Sequence, residues 1–505
     1  MLSLSDPDPF EACPAPFNMA AHVLRHARDV PDKCSLNVVS CDDVQQWSYA
    51  ALEAAVLGTA TGLCEAGAEP GDIILMRLGN TVDFPIAYLG ALAAGLVPVP
   101  TSAALSAPEV ARIIAELSPK LILCAAGVPC PDSANTIGIE ALQRMRMRPP
   151  APYHMGDPER LGYIIYTSGT SGQPRAVAHA HRAIWARQMM FDGWYGLTPQ
   201  DRVMHAGAFN WTYTLGTGLM DPWTMGATAL IPQQGTPSQR LPDLLIRHKA
   251  TIFAAAPGVY RQIVQAHNSL HLPDLRHGLS AGEKLAPRIR AGWHKATGCQ
   301  IYEAYGMSEC STFISASPSE PAHPSSLGRA QTGRRVAILT PDGPAQRGQA
   351  GTIAIHRSDP GLMLGYLNAP QDTADKMQGE WFLTGDQGVM TQSGQIEYLG
   401  RDDDMMNAGG YRVSPIEVEQ ALSGFANLTA VAAAEVEVKA DTHVIAAFYT
   451  SSTPLDEDAM RAYVSDKLAG YKQPRLFIRL DALPLGGNGK ILRKQLRTMW
   501  KADCE

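Results

Sequence analysis

The chain is short of charge, and it lacks what would tie it to an oxidising compartment or a membrane. Charged residues are 18% of its 505 positions, below the roughly 25% usual for soluble chains. Their balance is acidic, with a formal net charge of −7 at pH 7. A surface of that sign attracts neither nucleic acid nor anionic lipid, which excludes binding driven by a basic face. The nine cysteines contain no Cys-x-x-Cys pair; their odd number and irregular spacing fit reduced thiols rather than a disulfide framework. No apolar run reaches the ~20 residues that a membrane-crossing helix needs. The most apolar, FPIAYLGALAAGLVPVP (84–100), is interrupted by Pro and Gly and reads as a buried helix followed by a strand. The first residues, MLSLSDPDPFEACPAPF, are acidic and proline-punctuated, unlike a signal or transit peptide. A cytoplasmic protein is expected.

Apolar residues are plentiful, at 45%, and the length exceeds one ordinary core, so two to four domains are expected. Short β-rich runs alternate with helical patterns through the N-terminal two-thirds. GDIILMRL (71–78) precedes VDFPIAYLGALAAG, APEVARIIAELSP precedes KLILCA (120–125), and ATIFAAAP (250–257) precedes GVYRQIVQAHN. Such alternation predicts an α/β fold of parallel-rich sheets packed with helices. Near residue 380 the texture changes. EWFLTGDQGVMTQSGQIEYLGR reads as two strands around Gln392-Ser393-Gly394, and RDDDMMN (401–407) reads as a linker. Beyond it, helix, two strands, helix, strand and a basic helix predict a small α+β domain. The expected division is 1–400, a hinge at 401–407, and 408–505.

Five stretches carry candidate chemistry. YTSGTSGQPRA (166–176) crowds the hydroxyls of Thr167, Ser168, Thr170 and Ser171 around glycines, a composition that turns backbone N–H groups toward an anion. The preceding GYIIYT predicts a buried strand that delivers this loop to a sheet's C-terminal edge, where α/β ligands bind. It is not the GxxxxGK[ST] phosphate loop, and alone it reads more readily as a surface loop than as an anion site. YEAYGMSE places Glu309 after a tight turn, suited to a hard cation such as Mg²⁺. FLTGD ends in Asp386, able to accept from two ribose hydroxyls; YLGRDDD supplies Arg401; PLGGNGK presents Lys490 on a glycine-rich turn. Each has a bland reading alone, as a solvated acid or a surface cation. Together and in this order they do not.

In that order the motifs resemble the adenylate-forming (ANL) superfamily of acyl-CoA synthetases, peptide-synthetase adenylation domains and luciferases, from FNMAAHVL to the last helix. DDMMNAGGYRVSPIEVE is most similar to the AMP-forming carboxylic acid–CoA ligases. The resemblance implies a large N-terminal domain with a β-subdomain and a mobile C-terminal lid, and an enzyme using ATP, Mg²⁺ and coenzyme A. It implies that Thr167, Ser168, Gly169, Thr170, Ser171 and Gly172 grip the ATP phosphates, and that Gly282, Glu283, Lys284, Glu303, Ala304 and Tyr305 surround adenine. Ser308 would meet the α-phosphate, Glu309 hold Mg²⁺, Asp386 and Arg401 bind ribose, Asp403 be the hinge, Gly410 and Arg412 meet CoA, and Lys490 drive adenylation. Glu309, Arg401 and Lys490 are thus the expected catalytic groups. Where the family usually has Pro-Lys-Gly, this chain has Pro-Arg-Ala (174–176). Arg175 retains a cation and reads equally as a phosphate ligand or half of a salt bridge.

The acid is expected to be aromatic, branched or of medium length. Gly306 stands where acetyl-CoA synthetases carry a tryptophan that shortens the pocket, so acetate is not the expected substrate. Phe209, Trp211, Tyr213, Tyr260 and Met307 are expected to line an apolar pocket with it, although Trp211 and Tyr213 read equally as core. The alternating His179 and His181 lack further metal ligands at suitable spacing. A homodimer, and acetylation of Lys490 by a regulatory acetyltransferase, are further expectations; nucleic acid and membrane are not expected partners. Two rival readings are an adenylation enzyme that loads a carrier-protein phosphopantetheine, and a silent nucleotide-binding sensor or scaffold.

Overall fold

Apolar segments that alternate between strand and helix period have to bury both faces of their sheets, and here they do. The computed structural model describes residues 1–505 apart from 41–43, 132, 134, 168–174, 403, 409–410, 440–441, 469, 487–489 and 505. Among the described residues the largest sheet has nine strands, in the order Arg329–Ala330, Ser311–Ser315, Ile301–Met307, His277–Ser280, Ile252–Ala254, Arg202–His205, Thr228–Pro232, Cys34–Val39 and Val44–Ser48. From Ile301–Met307 to Cys34–Val39 the pairing is parallel, and antiparallel strands close both edges.

A second sheet, Val97–Pro100, Ile73–Arg77, Leu121–Cys124 and Thr136–Gly138, is parallel throughout. Helix Asp83–Ala93 beside it is buried at every position, which is why its sequence shows no polar face. Gly90 lets it approach Thr59 of helix Tyr49–Glu65 closely. Helix Ala107–Leu117 is amphipathic instead, burying Val110, Ile113 and Leu117 and starting at a reciprocal Ser106–Glu109 cap.

Strand Leu161–Thr167 belongs to neither sheet. It pairs antiparallel with Arg175–Ala180, which pairs with Gly365–Tyr366. The sequence-based expectation of a loop at a parallel sheet's C-terminal edge is therefore corrected: 168–174 joins two antiparallel strands. Ile164 and Ile165 are both buried, and a strand covered on both faces reads the same whichever way it pairs.

An antiparallel sheet runs from Leu4–Ser5 through Val336–Thr340, Ala350–His356 and Trp381–Met390 to Ile396–Arg401. Along Trp381–Met390 burial alternates with period two, which turns Phe382, Thr384 and Asp386 inward. A short hairpin, Met406–Ala408 with Tyr411–Val413, follows, so part of the expected linker is strand. Helices Pro415–Leu422 and Glu457–Ser465 then cover one face of the sheet Ala430–Lys439, Thr442–Thr450, Leu476–Arg479, and helix Arg493–Cys504 covers the other. Ala433 packs with Val418 and Met460, whereas its neighbours Ala432 and Ala434 pack with Leu496. Among the described residues no helix is long and apolar enough to cross a membrane.

Candidate active site

Turning a carboxylate inward requires partners, because an unpaired buried charge is costly. Asp386 has them. Its cross-strand neighbour is Arg401, whose Nε lies 3.7 Å from Asp386 Oδ1. The hydroxyl of Tyr305 donates to Asp386 Oδ2. The Tyr305 ring packs against Phe313 and Tyr398, with centroids 5.4 and 5.7 Å away. Three residues expected at the nucleotide thus meet at one place, from two sheets.

Ala304 and Glu303 precede Tyr305 on the same strand and are buried. Glu303 Oε1 accepts from Leu285 N at 2.8 Å, and Oε2 faces Arg290 at 2.9 Å and Lys284 at 3.5 Å. Glu303 and Lys284 therefore pin the turn 282–285 to the strand. Gly282 has φ +93°, a left-handed conformation that glycine adopts without strain. Glu283 follows it, and burial raises its carboxyl pKa against the lowering influence of Lys490 and Arg261. Lys490, exposed on the turn closed by the Leu485–Ile491 bridge, thus lies within electrostatic range of the expected adenine loop.

Ser308 O accepts from His179 Nε2 at 2.7 Å. Burial holds the His179 ring neutral, its pKa pushed down to about 4. Glu309 Oε1 accepts from the Tyr366 hydroxyl at 2.6 Å. Above the Tyr366 ring sits the Arg175 guanidinium, 4.9 Å from the centroid, paired with Asp372 at 3.0 Å. Arg175 therefore has a salt bridge, and it connects the end of the 168–174 loop to the Glu309 carboxylate through Tyr366. No group of three His, Cys, Asp or Glu residues placed to hold a metal ion occurs among the described residues. A single oriented carboxylate nevertheless fits Mg²⁺, which commonly takes one or two protein oxygens and completes its shell with water and phosphate. His181 accepts from Met19 N through Nδ1, so the HAHR alternation is structural.

Three of the residues expected to line the acid pocket pack in or against cores. Tyr260 is fully buried against Phe253 and Trp293, its hydroxyl 2.7 Å from Phe253 O. Phe209 packs on Phe84 in another core. Tyr213 lies against His205 and Trp194 and donates to Leu279 O. At Gly306 a Cβ would stand 2.1 Å from Ser311 O, so the close neighbouring strand accounts for this glycine. The cavity beside the site is lined by other members of the same segments, among them Thr212, Leu215 and Ser308, and by none of the six expected residues. Helix Thr212–Leu215 explains the shift: positions three apart share a face, and Tyr213 points elsewhere.

The same cavity exposes a polar group that motif reading passed over. Arg187 is buried and grips Asp221 with Nε at 2.8 Å and Nη2 at 2.6 Å. Its Nη1 donates to Ser311, and Tyr195 donates to Asp221 Oδ2 at 2.7 Å. Gly216 is needed where the guanidinium packs, since a Cβ there would fall 2.2 Å from Arg187 Cζ. Arg187 in AIWARQMMF and Asp221 in GLMDPWTM, each the single charged residue of its stretch, were the available signal.

Ser168, Gly169, Thr170, Ser171, Gly172, Asp403 and Gly410 lie outside the described residues. Thr167 ends its strand, and Arg412 sits in Tyr411–Val413.

The family model of AMP-binding enzymes matches residues 23–367. The benzoate–CoA ligase of Thauera aromatica is 29% identical over 495 residues, covering 91% of this chain and 92% of that one. A mitochondrial acyl-coenzyme A synthetase of Homo sapiens is 30% identical over 356 residues, covering 67% of this chain and 60% of its own length. The crystal structure of an anthranilate CoA ligase with anthranoyl-AMP superposes with TM-score 0.88 at 23% identity, covering 97% of this chain and 99% of that one. That likeness extends the ANL fold over the whole chain. With its AMP-binding segment matched and its length shared with acid–CoA ligases, the chain belongs to the AMP-binding enzyme family, in the acyl-CoA synthetase branch of the adenylate-forming superfamily.

Proposed function

We propose that this enzyme activates an aromatic or medium-chain carboxylic acid with ATP and transfers the acyl group to coenzyme A. The observation that carries the reading is the Asp386–Arg401 pair under Tyr305, with Lys490 brought to Glu283 from the C-terminal part of the chain. Relatives acting on benzoate and 3-hydroxybenzoate support the acid class.

A carboxylate that attacks the α-phosphate brings one anion toward another, so the site has to place positive charge where negative charge accumulates. Lys490 supplies an ammonium there, and removing such a group typically costs ~3–4 kcal/mol of transition-state stabilisation. Asp386 accepts from the ribose hydroxyls, and Arg401, held across the hairpin, binds beside it. Gly282, Glu283 and Lys284 form one wall of the adenine site; Glu303, Ala304 and Tyr305 form the other. Ser308 meets the α-phosphate, and the 168–172 loop with Thr167 takes the outer phosphates. Mg²⁺, when bound on Glu309, neutralises phosphate charge.

The acyl-AMP so formed is a mixed anhydride with AMP as leaving group, open to attack by a thiolate. Lys490 fills the face through which that thiol has to enter. Residues 408–505 therefore act as a lid that turns about 402–404 and exchanges Lys490 for Gly410. Arg412, as a ligand for the CoA phosphate, favours CoA over a carrier protein. AMP release measured with ATP, Mg²⁺ and CoA over acetate, hexanoate, octanoate and benzoate tests the reading. Turnover of benzoate or the longer acids above acetate is expected; no AMP with any acid refutes it.

A further inference from the structure

Strand Leu121–Cys124 ends in a cysteine, and the exposed turn after it brings a second one back alongside. In the sheet Cys124 is the register partner of Arg77. Ala125 N donates to Arg77 O at 3.0 Å, and Val128 N to Ala125 O at 3.3 Å, so the chain reverses directly after the strand. Pro129 O then accepts from Arg77 Nη2 at 2.8 Å and from Nε at 3.2 Å. The same buried guanidinium donates to Thr101 Oγ1, Ser102 O and Leu105 O. One side chain thus fixes both ends of the turn, and Cys130 leaves it beside Cys124. Cys124 Sγ lies 3.6 Å from Val128 O, and the thiols of Cys124 and Cys130 are hydrogen-bond neighbours.

Both cysteines are partly exposed, which gives a small reagent access to them. A structural zinc takes four ligands, and among the described residues no group of three His, Cys, Asp or Glu is placed to hold a metal ion. What the pair can do is react. The Arg77 cation lies within electrostatic range of both sulfurs, and a neighbouring guanidinium favours the thiolate, the reactive form. Burial first, and then Cys130, raise the pKa of Cys124, so Cys124 keeps its proton and Cys130 is the sulfur that reacts first. Cys130 also packs in the apolar cluster that holds Tyr166 and Ala176, on the two strands joined by residues 168–174.

The geometry points to Cys124 and Cys130 as a redox-modification site, at which a small disulfide of the oxidised-glutathione class converts the dithiol to an intramolecular disulfide. The Cys130 thiolate attacks one sulfur of the reagent; the reagent's S–S bond breaks, and one glutathione leaves as a thiolate that takes up a proton. Cys124 then gives its proton to solvent, and its sulfur attacks Cys130 Sγ and releases the second glutathione. The protein loses two hydrogen atoms, and one glutathione disulfide becomes two glutathiones. This site is independent of the ligase reading.

The test equilibrates the full chain in mixtures of reduced and oxidised glutathione, quenches with N-ethylmaleimide and digests with trypsin. Residues 121–144 form one tryptic peptide with both cysteines and no other. Mass spectrometry should find that peptide without either maleimide and without glutathione, and dithiothreitol should restore both labels. Because folding holds the sulfurs together, [GSH]²/[GSSG] at half closure should be about tenfold or more higher for the native chain than for the chain unfolded in urea. In Cys124→Ser, glutathione should stay trapped on Cys130. A native value equal to or below the unfolded one would overturn the proposal. So would a native peptide that keeps both labels, or a Cys124→Ser chain that takes up no glutathione at Cys130.

Discussion

Asp386 and Arg401 face each other across the hairpin of Trp381–Met390 and Ile396–Arg401, 3.7 Å apart, with the Tyr305 hydroxyl on the second carboxylate oxygen. The carboxylate is anchored from one side while its inward position keeps it near the cleft. Asp386→Asn preserves shape and an acceptor for Tyr305 but loses the charge. Hydrogen bonds to charged groups contribute about 1.5–3 kcal/mol, so kcat/KM for ATP should fall about 10- to 100-fold. Steady-state kinetics in ATP, with circular dichroism to confirm the fold, check this. An unchanged KM for ATP would remove Asp386 from the ribose site.

Lys490 lies on a turn stapled by Gly486 N to Lys490 O at 2.7 Å and reaches the field of Glu283 from the far end of the chain. A group brought in by a lid serves only the step for which the lid is closed. Lys490→Ala should therefore abolish acyl-AMP formation from acid and ATP, by about 100-fold or more, while leaving thioester formation from pre-made acyl-AMP nearly intact. Single-turnover assays of the two halves separate the outcomes, and equal loss in both sinks the division of labour.

Arg175 stands where the family usually has lysine, and its geometry answers whether it is idle. Stacked on Tyr366 and tied to Asp372, it steadies the ring whose hydroxyl holds Glu309. Groups that orient a metal ligand commonly contribute 10- to 100-fold in metal affinity or activity. Tyr366→Phe should thus raise the Mg²⁺ concentration for half-maximal activity about tenfold, with a smaller effect on KM for the acid. An Mg²⁺ titration of AMP release that matches the wild type would show that Tyr366 does not act through Glu309.

The motifs named residues that the fold brings together, Tyr305 with Asp386 and Arg401. Glu303, Ala304 and Tyr305 sit on strand Ile301–Met307, and Asp386 and Arg401 on two paired strands, so sequence order translates into position; Ser308 and Glu309 follow in the turn after the first. The pocket was harder to read. Whether Trp211, Thr212 or Tyr213 faces a cavity depends on the phase of a four-residue helix, too short for a periodic pattern to settle. Aromatic residues drew attention for their size, yet Tyr260 and Phe209 bury that size in cores. Arg187 and Asp221 are 34 positions apart, and only the folded chain shows that each is the other's partner. The Leu161–Thr167 strand illustrates a different limit: an all-apolar run reports burial and not pairing direction.

Acidification offers another test. Burial depresses the pKa of His179 to about 4 and of His181 and His205 to about 3, against an ordinary value of 6.5. An unfolded chain protonates these rings near pH 6.5, whereas the folded one resists. Between pH 6.5 and about 4 the unfolded state binds more protons, so stability falls as pH falls, by up to about 1.4 kcal/mol per pH unit for each ring. Above 6.5 these groups exert no pH dependence. Denaturant midpoints should be level from pH 7 to 8 and drop between 6.5 and 5. His205→Leu should flatten the drop, because both ring nitrogens of His205 lack partners among the described residues. A midpoint unchanged down to pH 5 would contradict the neutral, buried assignment.

The Arg187–Asp221 pair lets stability and selectivity be separated. Both side chains are buried, and Tyr195 and Thr217 surround their contact. Removing one partner strands a buried charge, at a cost of about 3–5 kcal/mol, whereas replacing both with apolar residues is often far milder. Arg187→Met should therefore lower the urea midpoint sharply. The double variant Arg187→Met/Asp221→Leu should recover at least half of the loss, the remainder reflecting the orphaned Tyr195 and Thr217 hydroxyls. If the pair only stabilised the fold, the double variant would keep the wild-type ranking of acids. If it forms a wall of the acid site, the double variant should fold and still change that ranking. Urea titration and kcat/KM for each acid, measured on the same two variants, distinguish these outcomes.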